Sequence, residues 1–164
     1  MIQRIQTLYL LIAVVLSILI FLLPISTKII PANPAKNISK EITFKTDLYG
    51  TEKYENGVVA FASSNYILLI LNIGTGIISA CVIFLYSKRI LQMKLVRLCV
   101  LLVSAFIVVD FYFSDGLGKE FGDEYKTMYL AGSYFPIIQI ILLVMAIRAI
   151  KKDEDLVKSA DRIR

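Results

Sequence analysis

Apolar residues gather into four long runs along this chain, separated by stretches where charges and turn-forming residues concentrate. The runs cover Ile5–Leu23, Tyr66–Tyr86, Leu95–Phe113 and Gly132–Ile150. A helix crosses the ~30 Å hydrocarbon layer with about 20 mainly apolar residues, and helices of soluble cores rarely stay apolar that long. The pattern predicts an all-α integral membrane protein, a single domain over residues 1–164 with four transmembrane helices.

Each run also carries a small or polar stripe at helical spacing. In the first it is Gln6, Leu10, Ala13 and Ser17; in the second Asn65, Asn72, Thr75, Gly76 and Ser79, extended by Tyr86. The third has Cys99, Val103, Phe106 and Asp110, and the fourth Gly132, Pro136, Gln139 and Ala146. Helices in lipid associate through close packing of small residues and through buried polar contacts. The stripes are therefore expected to face one another in a four-helix bundle, with Leu, Ile and Val turned to lipid. Pro136 reads as a helix-start residue in the first turn of the fourth span.

The connecting segments are unequal. Within 25–65, Pro31–Pro34 cannot be helical, while Glu41–Tyr49 alternates large apolar and polar side chains. Gly50 and Glu55-Asn56-Gly57 supply turn chemistry, and Val58–Phe61 reads as a second strand. A small antiparallel β-hairpin resting on the helix ends is expected, since an isolated hairpin is marginal in water. In 114–131, Gly116–Gly122 reads as a flexible re-entry loop and Asp123–Ala131 as a short amphipathic helix. Beyond Ile150, the tail 151–164 pairs Glu154 with Lys158 at i, i+4, which favours continuing the fourth helix.

Charge orients the spans. The net charge is +5. Arg4, the Lys88–Arg97 turn and the Arg148–Arg164 tail hold 11 of the 18 basic residues and four acids. By the positive-inside rule these lie on the cytoplasmic side of the membrane, with both termini cytoplasmic. Segments 25–65 and 114–131 then face outward, beside an aromatic belt at Tyr66, Phe111, Tyr112, Phe113, Tyr134 and Phe135. Basic residues placed beside a membrane, with no nucleic-acid motif, make the lipid bilayer the partner and exclude nucleic acid. No small-x-small site follows the first run, so it reads as a retained signal anchor.

Catalytic chemistry is sparse. The chain has no histidine, which removes the commonest general base and neutral metal ligand. Cys81 and Cys99 lie in spans without a CxxC partner and read as buried packing residues. No nucleophile–base pair or metal cluster stands out, so no enzyme activity, cofactor or metal is expected. The notable polar residues are Asn72, Asp110 and Gln139. At ~1.5 Å rise per residue, Asn72 and Gln139 lie roughly 10 Å below the outer edge and Asp110 about 5 Å, near enough to meet. An ionisable residue inside a span is a functional-site hypothesis; the competing reading has Asp110 accepting hydrogen bonds near the interface.

Met1-Ile-Gln-Arg-Ile-Gln-Thr7, the closing Lys152–Arg164 and Arg97-Leu-Cys99 together resemble domain-of-unknown-function family 4293, small bacterial inner-membrane proteins. The resemblance covers the whole chain and implies a four-helix membrane fold with no assigned activity. It makes Gln3, Arg4, Gln6, Asp153, Glu154, Ser159, Asp161 and Arg162 candidates for a shared cytoplasmic-face interaction site. Two functions follow as expectations. One is a non-enzymatic accessory or scaffold subunit of an envelope complex, bound to a membrane-protein partner or to itself. The other is a small transporter or lipid-handling protein using the outer-half polar cluster around Asp110.

Overall fold

The computed structural model of the chain describes residues 5–30, 42–55, 58–64, 66–86, 88–119 and 126–162. The Pro31–Pro34 run and the turn residues Asn56 and Gly57 lie outside the described residues. Four helices form: α1 (Ile5–Leu22), α2 (Tyr66–Phe84), α3 (Arg89–Lys119) and α4 (Ala131–Arg162). Each is long and apolar enough to cross a membrane. Their outward residues are apolar, among them Leu8, Leu11, Ile70, Ile77, Leu101 and Val108. A continuous exposed surface of that kind suits lipid better than water.

α1 packs on α2 and α4, and α3 packs on the same two, so the helices stand at the corners of a square. The stripes that face inward follow the 3.6-residue period. Gln6, Leu10, Ala13 and Ser17 are buried on α1, as are Cys99, Val103, Phe106 and Asp110 on α3. The middle of the bundle is filled by Leu10, Ala13, Val82, Val96, Val103 and Leu143. On α2 the buried face holds Leu68, Asn72, Thr75, Ser79 and Val82. Tyr86 departs from the expected stripe: α2 ends at Phe84, and Tyr86 is exposed beyond it. The two cysteines also differ, Cys99 being buried and Cys81 exposed on the bundle's surface.

Both long helices outrun the expected spans. α3 starts at Arg89 and carries on to Lys119, so Gly116–Lys119 is helical where a loop was expected. α4 continues through the charged tail to Arg162, as the Glu154–Lys158 spacing led one to expect. Pro136 lies in the second turn of α4, not the first. Its missing N–H leaves the Gly132 carbonyl without its helical partner.

The expected hairpin is a larger sheet. Five antiparallel strands, β1 (Ser26–Ile30), β2 (Ile42–Asp47), β3 (Gly50–Glu55), β4 (Val58–Ser64) and β5 (Lys126–Tyr129), lie in the order β4-β3-β2-β1-β5. β3 occupies residues expected to be turn, and β5 takes Lys126–Tyr129 of the segment Asp123–Ala131 expected to be a short helix, whose first three residues lie outside the described residues. The β2–β3 connection is the two-residue Leu48-Tyr49, with Asp47 opposite Gly50. Gly50 there holds φ of 155°, a conformation that side chains disfavour. Further along β3, Tyr54 donates to Glu52, which raises its phenol above its ordinary value.

The sheet sits on the bundle end where α1 and α3 finish and α2 and α4 begin. Leu48, at the hairpin tip, drops into a cluster with Ile20, Ile25, Leu68 and Phe106. Tyr49 and Tyr129 meet Phe21 and Phe111 edge to face. Such pairs contribute about 0.5–1.5 kcal/mol beyond their area burial. At the opposite end lie the start of α1, the α2–α3 turn and the charged end of α4.

Candidate functional site

Ser17 joins three helices. Its hydroxyl donates to the Ala13 carbonyl of its own helix at 3.3 Å. Gln139 on α4 donates to the Ala13 carbonyl at 3.1 Å and to Ser17 Oγ at 2.8 Å. Asn72 on α2 donates to the Ser17 carbonyl at 3.0 Å. The helices come close here: a Cβ added at Gly76 would stand 3.3 Å from Ser17 Cβ. In lipid, few other groups can satisfy a buried amide, so these contacts set helix rotation as much as affinity.

Asp110 belongs to a second cluster. It is only 2% exposed. Ser114, one turn along α3, donates to Oδ1 at 3.3 Å, and Ser133 of α4 donates to Oδ2 at 3.1 Å. Ser133 Oγ also lies 3.0 Å from the Ile25 carbonyl, so one proton serves two acceptors. Ser26, the first residue of β1, meets Ser114 Oγ at 3.0 Å. The Ile25 carbonyl further accepts the Leu130 amide at 2.9 Å, and Ile25 N–H donates to Thr46 at 3.0 Å. Asp110 is thus the centre of a clasp binding α3, α4 and the start of β1. Gly132 closes it: an added Cβ would fall 2.7 Å from the Pro24 carbonyl oxygen.

Among the described residues, no hydrogen bond links Asp110 to Asn72 or Gln139. The last two share Ser17, and Asp110 keeps company with serines that the sequence alone did not single out. Ser114 lies one turn beyond Asp110 on the α3 stripe, and Ser133 lies next to Gly132 of the α4 stripe. Lys28 was also missed; it is 2% exposed, on the same face of β1 as Ser26. The sequence Ser26-Thr-Lys-Ile-Ile30 carries no apolar–polar alternation that would mark Lys28 as buried.

The opposite end holds the motif positions. Gln3 and Arg4 lie outside the described residues. Gln6 is buried in the first turn of α1, and its amide oxygen has no hydrogen-bond partner among the described residues. The Asp153 backbone carbonyl accepts from Arg89 Nη1 at 3.1 Å, tying α4 to the start of α3. Glu154 pairs with Lys158 at 2.8 Å, and Ser159 donates to the Leu156 carbonyl. Asp161 and Arg162 occupy the final turn of α4. Gln92, not anticipated, donates to the Val82 carbonyl at 3.1 Å and so caps α2, while its own oxygen has no partner among the described residues. No three His, Cys, Asp or Glu side chains converge as metal ligands among the described residues.

A family model described as Domain of unknown function (DUF4293) matches residues 2–163, and the chain belongs to that family. No curated protein matches the chain.

Proposed function

We propose that this protein is a non-enzymatic accessory or scaffold subunit of a bacterial inner-membrane complex, presenting its sheet to a protein partner outside the cytoplasm. The supporting observation is the β4 edge. β4 is seven residues long and pairs on one side with β3; no described strand covers its other side. Val58 and Val59 on it are 68% and 47% exposed. An unpaired edge offers backbone N–H and C=O groups to an incoming strand, and apolar side chains beside it add specificity. A bulge at Ala60, between the Tyr54↔Val59 and Lys53↔Phe61 pairs, limits the regular stretch. The orientation rests on charge: Arg89, Lys94, Arg148 and Lys151 lie at the end away from the sheet, which by the positive-inside rule supports cytoplasmic termini.

A photo-cross-linking residue at Val59 in intact cells tests this reading. A discrete adduct, absent when the cross-linker replaces Ile70 on the helical surface, is expected. Mixing two differently tagged copies separates self-association from a distinct partner. Uncross-linked monomer alone at Val59 would overturn the proposal. The second reading, a small transporter or lipid-handling protein, draws support from the carboxyl of Asp110 inside the third span. Loss of a transport or lipid phenotype in Asp110→Asn at unchanged folded yield would favour it.

A further inference from the structure

A groove of about 750 Å³ opens between the start of α1 and the end of α4, at the end away from the sheet. Its polar lining is Gln6, Arg89, Arg148, Lys152 and Asp153, three cations against one carboxylate. Arg89 spends one guanidinium N–H on the Asp153 backbone carbonyl. Neither Arg148 nor Lys152 makes an ion pair with another described residue. The apolar wall, including Ile5, Tyr9 and Met145, runs from there toward the middle of the bundle. Gln6 lies among these residues at 2% exposure, its amide oxygen without a partner among the described residues. An amide buried without a partner is unfavourable and asks for a ligand group.

We propose that this groove holds the headgroup of an anionic glycerophospholipid. α1 is 18 residues long, about 27 Å at the usual rise. Gln6 and Arg148 therefore lie one hydrocarbon thickness from the sheet end, at headgroup level. Arg148, Lys152 and the free N–H groups of Arg89 face the phosphate, and acyl chains follow Tyr9 and Met145 along the helices. Gln6 meets the headgroup in either amide orientation, since its oxygen takes a headgroup hydroxyl and its nitrogen donates to a phosphate oxygen. Basic pockets between membrane helices at the cytoplasmic surface are a recognised setting for such lipids. The apolar wall distinguishes this groove from a site for free phosphate. The inference does not depend on what binds the sheet.

Full-length protein in neutral detergent, titrated with short-chain phosphatidylglycerol, short-chain phosphatidylcholine or inorganic phosphate and read by native mass spectrometry, tests it. Phosphatidylglycerol is expected to bind about tenfold more tightly than phosphatidylcholine. Arg148→Gln with Lys152→Gln should abolish that preference, and Asp153→Asn should strengthen it. Lys94→Gln, at the same end but outside the groove, should leave it unchanged. Equal binding of the two lipids, or an equal loss in Lys94→Gln, would overturn the proposal. Displacement of phosphatidylglycerol by inorganic phosphate at matched concentration would overturn the lipid assignment in favour of a soluble anion. Asp153→Asn decides the matter even if the double variant fails to fold.

Discussion

The two ends of the bundle treat buried polar groups in opposite ways. At the sheet end, Asp110 is met by Ser114 and Ser133, and Ser133 and Leu130 both reach the Ile25 carbonyl. At the other end, Gln6 and Gln92 each keep an amide oxygen with no hydrogen-bond partner among the described residues. Both ends bury polar side chains to a similar depth, so burial alone does not distinguish them. The difference is closure. Where neighbours satisfy a buried group it fixes geometry; where they do not, the group is available to something from outside.

The largest expected effect lies at the closed end. Gly132→Ala would drive a methyl group against the Pro24 backbone, which cannot yield as a side chain can. A loss of roughly 1–3 kcal/mol is expected, read as reduced folded yield and earlier unfolding in detergent. An unchanged unfolding midpoint would show that the clasp is loose. Next comes Asp110→Leu, which strands the hydroxyls around it and should cost about 1–3 kcal/mol. Asp110→Asn should retain most of that stability, because its amide accepts from Ser114 and donates to Ser133. Equal losses in the two variants would detach the clasp from hydrogen bonding. Gln139→Leu and Asn72→Leu, which break the Ser17 junction, should each cost about 0.6–1.7 kcal/mol by unfolding titration. The smallest effect, and the one of opposite sign, is Gln6→Leu. Removing an unsatisfied acceptor should leave stability unchanged or raise it slightly. If it destabilised the protein as Asp110→Leu does, the contrast between the ends would vanish.

What could be read from the chain followed from periodicity. Gln6, Leu10, Ala13 and Ser17 announce a face because a helix repeats every 3.6 residues, and all four are buried on α1, with Leu16 and Ile20 beside them. The strand β2 likewise shows the two-residue alternation of the pleat. β1 and β5 were hidden for a different reason. Each is short, and β1 finds β5 about a hundred residues away, with Ser26 opposite Tyr129. No local pattern encodes such a pairing. The Asp110 partners were missed on similar grounds: Ser114 lies past the apolar run, and Ser133 stands beside a glycine that looked like a helix start. Gln92 sat among basic residues and read as part of a surface turn.

The position of β1 between β2 and β5 orders biogenesis. β1 through β4 are complete once residue 64 has emerged, but the strand beside β1 arrives only after α2 and α3 have been threaded. Until then one side of β1 lies bare, and Ser26 waits for Ser114. The sheet is therefore complete only when the segments before α2 and after α3 have met.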